Sequence, residues 1–188
     1  KFWVLKFWNL GYKKIFERTR DILSLVKYHE CLITTDAMII QDKKLISVEE
    51  FAEHEDLLAL LGCKKCNKLR LIPIYEISYI IRRILKALIH IRQLGYIYCD
   101  LKLENVFVLK HGIIKLGDFN SIVKCPGLET IIVTPDYNPP EGWRSHKGMQ
   151  WTLGILIKEL SGRTAPILDN FVKKCLCVDP KNRPSLTQ

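Results

Sequence analysis

The sequence lacks the features that mark membrane, secreted or repetitive proteins. No apolar run reaches the ~18 residues that a membrane-spanning helix needs. The first ten residues, KFWVLKFWNL, have no long apolar stretch and no small-residue cleavage site, so they do not form a signal peptide. Internal repeats and low-complexity segments are also absent. No contact with a membrane is therefore expected, and a globular protein is favoured.

Length and charge fit such a protein. The 188 residues are 48% hydrophobic and 26% charged, which suffices for one domain with its own core or for a small two-lobed one. The formal net charge of +9 would suit acidic partners such as nucleotide phosphates or nucleic acid. Because Lys and Arg are scattered and form no long basic run, a solvated basic surface is favoured, and nucleic acid is not expected as a partner.

The seven cysteines allow two interpretations. Cys63 and Cys66 have the spacing of one half of a zinc site, and Cys175 with Cys177 could supply the other half. Alternatively, all seven are reduced thiols of an intracellular protein, in the cytoplasm or nucleus. The second interpretation is favoured because Cys175 and Cys177 lie in an apolar helical context.

The densest chemistry lies in the stretch YIYCDLKLENVFVLKHGIIKLGDF, residues 96–119. Two β-rich runs within it, Val106 to Val108 and Ile113 to Leu116, are separated by a Lys-His-Gly turn and predict a hairpin. A hairpin brings the loop before its first strand close to the loop after its second strand.

Four polar side chains flank this hairpin. Asp100, Lys102 and Asn105 precede it, and Asp118 follows it. The hairpin would therefore make Asp100 and Asn105 face Asp118 across a small gap. Two carboxylates, an amide and an ammonium group suit Mg²⁺ and phosphate, because Mg²⁺ takes hard oxygen ligands and usually shares them with substrate phosphates.

The same stretch resembles the catalytic core of the eukaryotic-type protein kinases, whose catalytic loop reads H-R-D-L-x-x-x-N and whose metal motif reads D-F-G. Residues 98–105 read Y-C-D-L-K-L-E-N, and residues 118–120 read D-F-N. The resemblance implies an α+β, two-lobed fold. Residues 1–52 would form an incomplete small β lobe with the hinge, and residues 53–188 a mainly helical large lobe.

The resemblance also implies a role for each polar residue, with ATP and Mg²⁺ as cofactors. Asp100 would accept the proton of the substrate hydroxyl, and Lys102 would neutralise charge on the transferring phosphoryl group. Asn105 and Asp118 would hold Mg²⁺ and so contact the nucleotide. Lys6, in a strand that resembles the V-A-I-K motif, would bind the α- and β-phosphates.

The helix predicted over Lys13 to Val26 would carry the Glu that pairs with the strand lysine. Glu17 is the available acid, but it lies closer to that lysine in sequence than the family usually allows. Thr19 falls nearest the expected register. A surface position for Glu17 is therefore favoured.

The hinge, whose backbone pairs with adenine, would follow two strands. These strands are predicted at residues 31–40 and 45–48, on either side of a turn. Glu50 and Ala52 would then lie in the hinge and contact the nucleotide. Glu49 would take the gatekeeper place, where a carboxylate needs a partner because burying an unpaired charge is costly.

The rest of the chain continues the resemblance. Helices are predicted over Ser78 to Leu94 and over Met149 to Leu160. Residues 134–141, T-P-D-Y-N-P-P-E, resemble the run T-P-x-Y-x-A-P-E that closes the activation segment, so Thr134 would hydrogen-bond Asp100 and Lys102. Residues 168–188 resemble the closing helix of the family, in which Arg183 would pair with Glu141.

Two functions follow. The favoured one is a protein serine/threonine kinase that acts on a protein substrate, and the alternative is a pseudokinase that regulates a partner protein. The alternative has support from Cys99, Asn120 and Met149, which depart from the family motifs, and from the missing Gly-rich loop. Thr130, at a common phosphorylation position, is expected to be an ordinary loop residue. The compact, divergent sequence is also similar to virus-encoded kinases.

Overall fold

The computed structural model describes residues 2–26, 28–63, 68–125, 133–143, 145–162 and 165–186. The first part is a three-stranded antiparallel sheet of order β1-β3-β2, built from β1 (Trp3–Trp8), β2 (Thr35–Gln41) and β3 (Lys44–Glu50). β2 begins four residues later and ends one residue later than predicted, while β3 extends the predicted run by one residue at its start and two at its end. β2 and β3 are joined by Asp42 and Lys43, which both have positive φ, as a type I′ hairpin turn requires.

Helix α1 (Lys13–Val26) has the predicted bounds. Its buried side chains recur at helical spacing and define one face: Phe16, Thr19, Ile22, Leu23 and Val26. The helix packs against the 3-10 turn Phe119–Ser121, which directly follows Asp118. This contact links α1 to one of the predicted metal ligands.

Helix α2 (Leu57–Leu61) is capped by Asp56, whose carboxylate accepts a hydrogen bond from Ala59 N at 2.8 Å. The short strands β4 (Gly62–Cys63) and β5 (Lys68–Leu69) pair next. Helix α3 (Ile74–Gln93) then begins at Ile74 rather than at the predicted Ser78. Pro73 starts the helix early because an extended proline can precede a first turn without losing an intrahelical bond.

The predicted hairpin is confirmed. β7 (Val106–Val108) and β8 (Ile114–Leu116) are antiparallel, with Val106 opposite Leu116. A second antiparallel pair flanks the hairpin in the sequence: β6 (Tyr96–Tyr98) precedes it and β9 (Ile122–Lys124) follows it. The two pairs hold the loops that contain Asp100 and Asp118.

Helix α4 (Lys147–Ser161) is buried on nearly all sides, as its apolar sequence predicts, and starts before the expected Met149. It packs against α3 and against α5 (Asp169–Cys175). The main core lies between these helices and the two strand pairs. No helix in the described ranges is long and apolar enough to cross a membrane.

Of the two cysteine pairs in the zinc hypothesis, the structure describes the side chains of one, Cys175 and Cys177. The side chains of Cys63 and Cys66 lie outside the described residues, as does Thr130. Cys175 is buried in the packing of α5 on α4. Burial raises its pKa to about 11, which favours the neutral thiol over a metal-binding thiolate.

Candidate active site

The loop between β6 and β7 is closed by the side chain of Asn105. Its Nδ2 donates to the backbone oxygen of Asp100 at 2.7 Å and to Asp100 Oδ2 at 3.1 Å. Asn105 stands in the 3-10 turn Leu103–Asn105 and is almost fully buried. The amide therefore fixes the distance between the two ends of the loop.

The Asp100 carboxylate is held by three donors. Besides Asn105, Thr134 N donates to Oδ1 at 3.0 Å, and Lys102 Nζ lies 3.1 Å from Oδ2. Burial favours the protonated acid, but the Thr134 N–H and the Lys102 ammonium outweigh it and lower the pKa of Asp100. The carboxylate is therefore ionised at neutral pH and can accept a proton.

Lys102 also donates to Thr134 Oγ1 at 2.9 Å. The predicted contacts of Thr134 with both Asp100 and Lys102 are thus present in the structure. They join the catalytic loop to the T-P-D-Y segment 32 residues away in the sequence.

Lys6 reaches Asp118 across the molecule. Its Nζ lies 3.0 Å from Asp118 Oδ1, and both side chains are about one-third exposed, at 37% and 32%. Asp118 has a left-handed backbone with φ 49°, which Asp adopts more readily than most residues. Glu17 does not contact Lys6. It is exposed and lies 3.9 Å from Lys13, as the sequence favoured.

Asp100, Lys102 and Asp118 line one cavity of about 280 Å³. Its other walls come from the small sheet, from α1 and from the turn after Asp118: Trp8, Tyr12, Ile15, Asn120 and Ser121. Asn105 is tied to Asp100, and its backbone oxygen accepts from Gly117 N at 3.0 Å. The structure thus brings Asp100, Lys102 and Asp118 to one cavity, and Asn105 is next to them through its hydrogen bonds to Asp100.

The donor set fits Mg²⁺. Asp118 and Asp100 offer carboxylate oxygens to the cavity, and Asn105 Oδ1 is the amide oxygen that would join Asp118 as a ligand. Mg²⁺ takes such oxygens and keeps its remaining positions for phosphate and water. The Asp118 side chain, about one-third exposed, is open to an ion entering from solvent.

A second cavity, of about 280 Å³, lies at the end of β3. Val4 and Phe107 supply apolar walls, and Glu49, Glu50 and Ala52 also line it. This arrangement suits a flat aromatic base between apolar side chains. The roles of Glu50 and Ala52 at the hinge stay predictions, because they concern a ligand.

Two of the glutamates that line this cavity, Glu49 and Glu50, have hydrogen-bond or ion-pair partners. Glu49 Oε1 accepts from Ser47 Oγ at 2.6 Å, which meets the requirement for a carboxylate in the gatekeeper place. Glu50 Oε2 lies 2.6 Å from Lys115 Nζ and accepts from Thr34 N at 3.2 Å. Glu50 thus ties β3 to the hairpin through its side chain, a contact that the sequence did not predict.

Tyr98 is a site residue whose contacts the sequence did not predict. It stands where the kinase motif has His, and its hydroxyl donates to Gly117 O at 2.6 Å, with Asp118 O at 3.3 Å. Burial, followed by the Asp118 and Asp100 charges, raises its pKa well above the ordinary value, so the hydroxyl keeps its proton. The sequence signal that could have predicted these contacts is the position of Tyr98 at the His place of the motif.

Two other departures from the motifs have local contacts. Met149 replaces the Asp that normally braces the catalytic loop, and its Sδ lies 3.5 Å from Tyr98 N. Sulfur is a weak acceptor, so the bracing survives in a weaker form. Asn120 replaces the motif glycine, and its backbone oxygen accepts from Arg18 of α1 at 2.7 Å.

The predicted pair of Arg183 and Glu141 is present and bidentate, with N–O distances of 2.6 and 2.8 Å. Arg183 is fully buried and also donates to the backbone oxygens of Cys177 and Lys147. Its guanidinium lies 5.0 Å from the Trp151 ring. Such a buried, fully hydrogen-bonded arginine fixes the end of the activation segment against the last residues.

Comparison with known proteins identifies the family. The family model described as a protein kinase domain matches residues 9–170. This chain belongs to the protein kinase family and has its α+β fold. Members of that family use ATP and typically Mg²⁺.

Curated relatives agree with this assignment. The chain is 33% identical over 175 residues to a cAMP-dependent protein kinase catalytic subunit of Arthrobotrys oligospora, covering 88% of this chain and 32% of the relative. It is 25% identical over 207 residues to the serine/threonine-protein kinase pakC of Dictyostelium discoideum, covering 90% and 43%. It is 26% identical over 163 residues to the tyrosine-protein kinase Fgr of Rattus norvegicus, covering 78% and 29%.

The chain therefore spans less than half the length of these relatives. They give no support to the expectation of a viral source.

Proposed function

We propose that this chain is an ATP-dependent protein serine/threonine kinase. The observation that carries the proposal is the cavity that Asp100, Lys102 and Asp118 share, with Lys6 against Asp118. An ionised base, two ammonium groups and oxygen ligands for a metal are the groups that phosphoryl transfer needs. Residues 1–52 would form the small lobe with the hinge, and residues 53–188 the large lobe.

Asp100 is the proposed base. Its carboxylate would accept the proton of a substrate hydroxyl while the hydroxyl oxygen forms a bond to the γ-phosphorus of ATP and the bond from that phosphorus to the β–γ bridging oxygen breaks. Thr134 N and Asn105 hold the carboxylate in place. ADP leaves, and the proton is held on Asp100 until it passes to solvent.

Lys102 and Lys6 would stabilise charge on the nucleotide. Lys102 lies between Asp100 and Thr134, where its ammonium can reach a γ-phosphoryl group close to the base. Lys6 would turn from Asp118 to the α- and β-phosphates. Mg²⁺ held by Asn105 and Asp118 would neutralise the β- and γ-phosphate oxygens.

The preference for serine and threonine rests on the Lys102–Thr134 contact and on relatives whose names include this specificity. A tyrosine kinase is also among the relatives. The peptide assay below therefore includes Ser, Thr and Tyr as phosphate acceptors. The partner implied is a protein substrate.

The alternative is a pseudokinase that binds a partner without transferring phosphate. It is favoured by Met149 and Cys99, which weaken or alter the support of the catalytic loop. Both functions predict nucleotide binding if the cavity is intact. Phosphoryl transfer separates them.

The test is the variant Asp100→Asn. We expect Mg²⁺-ATP to raise the melting temperature of both the parent chain and the variant, since a ligand that binds only the folded state stabilises it. Transfer of labelled phosphate to a mixture of Ser-, Thr- and Tyr-containing peptides should fall by roughly 10²- to 10⁴-fold in the variant.

Asp21→Asn is the matched control, because Asp21 is an exposed acid on α1 outside the cavity. It should retain both properties. Equal transfer by Asp100→Asn would disprove the base, and a parent chain that binds Mg²⁺-ATP without transferring phosphate would establish the pseudokinase.

A further inference from the structure

Lys6 lacks the helix carboxylate that the family motif would provide. The acid nearest to that role, Glu17, has a side chain that is 40% exposed and lies 3.9 Å from Lys13. Thr19, at the expected register, is buried on the inner face of α1. The carboxylate that contacts Lys6 is Asp118, which is also the proposed metal ligand.

The indole ring of Trp8 lies beside the Lys6 ammonium. The distance from Nζ to the ring centroid is 5.2 Å, within the range of cation–π attraction. Lys6 and Trp8 are two residues apart on β1, so they share a face of the sheet. Trp8 also lines the cavity with Asp100 and Asp118.

The ring of Trp8 is held by two contacts. Its Nε1 donates to Ser47 Oγ at 3.1 Å, and Ser47 Oγ donates to Glu49 Oε1 at 2.6 Å. Ser47 is fully buried and stands opposite Lys6 in the β1–β3 register. In addition, Phe16 of α1 packs against the indole in a T-shaped contact, with centroids 5.1 Å apart at 87°.

We propose that Trp8 is the positioning residue for Lys6, and that its ring face takes the place of a carboxylate on α1. This inference rests on the proposed function and says how Lys6, the proposed phosphate-binding lysine, is held in position. The negative face of the ring attracts the ammonium, while the neutral side chain leaves the full lysine charge for phosphate.

The first test compares Trp8→Leu with Trp8→Phe, using Mg²⁺-ATP as the ligand. Trp8→Leu removes the ring and should weaken ATP binding roughly tenfold, seen in both the Kd and the KM for ATP. Trp8→Phe keeps an aromatic face and should stay within about threefold of the parent chain. The KM for the peptide should change by less than about twofold in both.

The second test is a double-mutant cycle with Lys6→Met. If Trp8 acts through Lys6, Trp8→Leu should weaken ATP binding no further in the Lys6→Met background. A general packing defect would instead add its full effect to that of Lys6→Met. Trp8→Met, an apolar side chain of similar reach, replaces Trp8→Leu in both tests should the leucine variant not fold.

Phe7→Leu is the matched control, since Phe7 is the neighbouring aromatic on the opposite face of β1 and is 65% exposed. It should bind ATP as the parent chain does. The proposal is overturned by unchanged ATP binding in the ring-free variant, by equal loss in Trp8→Phe, or by additivity in the cycle. A parent chain that does not bind Mg²⁺-ATP would overturn the proposed function instead.

Discussion

The hydroxyl of Tyr98 links the loop that contains Asp100 to the loop that contains Asp118. It lies in β6, before the catalytic loop, and reaches the backbone oxygens of Gly117 and Asp118 on the other loop. The motif position thus keeps a link between the two loops although histidine is absent. The chemistry of a contact can be kept when its residue type changes.

Tyr98→Phe should test this link. It leaves the buried carbonyl group of Gly117 and the partly buried one of Asp118 without the hydroxyl, so we expect a loss of about 1–3 kcal/mol in the free energy of unfolding. Because Asp118 then has less support, Mg²⁺-dependent ATP binding should weaken as well. Chemical denaturation and an ATP titration at two Mg²⁺ concentrations would measure both.

Tyr96→Phe is the control, since it removes a hydroxyl from a partly buried position on the same strand. Its stability should stay within about 0.5 kcal/mol of the parent chain. Equal stability of the Tyr98 and Tyr96 variants would show that the Tyr98 hydroxyl does not join the loops.

The packing of α4 on α5 belongs to the element scale. At Gly154 a Cβ atom would lie 2.7 Å from Cys175 Cβ and 3.1 Å from the side chain of Leu176. The helices approach each other so closely only because Gly154 has no side chain. This contact places α5, and with it the segment that ends in Arg183, against the core.

Gly154→Ala should therefore destabilise the chain, although alanine is the better helix former. The gain in helix propensity is about 1 kcal/mol, while overpacking costs typically 1–3 kcal/mol. We expect a net loss of about 1 kcal/mol or more in the free energy of unfolding, measured by urea denaturation.

Lys158→Ala, at an exposed position of the same helix, controls for the change in helix propensity alone. It should alter stability by less than about 0.5 kcal/mol. A stabilised Gly154→Ala variant would show that α5 can move away from α4 without cost.

The dependence of stability on pH is a property of the whole molecule. One contribution comes from a contact between the loop after α1 and helix α3. His29 in that loop stacks on His90 of α3, with ring centroids 4.5 Å apart. Burial, followed by the charge of His90, lowers the pKa of His29, while Glu30 opposes this and Arg83 and Lys86 add to it. Burial also lowers the pKa of His146.

A lowered histidine pKa makes the folded state bind its proton later than the unfolded chain does. The free energy of unfolding should therefore decrease as the pH falls below the ordinary value of 6.5. Melting temperatures recorded between pH 7.5 and 5.0 should show this decrease. His29→Gln should reduce the size of this decrease, because the variant lacks the partly buried imidazole whose pKa is lowered in the folded state.

Glu159 acts in the opposite direction and supplies the control. Burial raises its pKa, so the folded state takes up a proton on Glu159 before the unfolded chain does. Its contribution to stability increases as the pH falls through that raised pKa. Glu159→Gln should steepen the loss of stability at low pH, and a flatter curve in this variant would contradict the assignment.

Much of the fold followed from local patterns. The periodic apolar residues of α1 and the β-rich runs of the hairpin gave these elements correctly, because each pattern is set by neighbours in the chain. The boundary of α3 was wrong at its start, since the pattern weakens near Pro73. The motif spacing singled out Asp100 and Asp118, which line one cavity in the structure, and their chemical roles remain predictions.

The sequence by itself determined the family, the long helices, the hairpin and the expectation that Asp100 lies near Asp118, because residue spacing and side-chain chemistry are local properties of the chain. Only the tertiary structure decided which side chains contact Lys6 and Trp8. Lys6 and Asp118 are 112 positions apart, and Trp8 reaches Ser47 across paired strands. Contacts of this kind depend on how strands and helices pack, so no local pattern contains them.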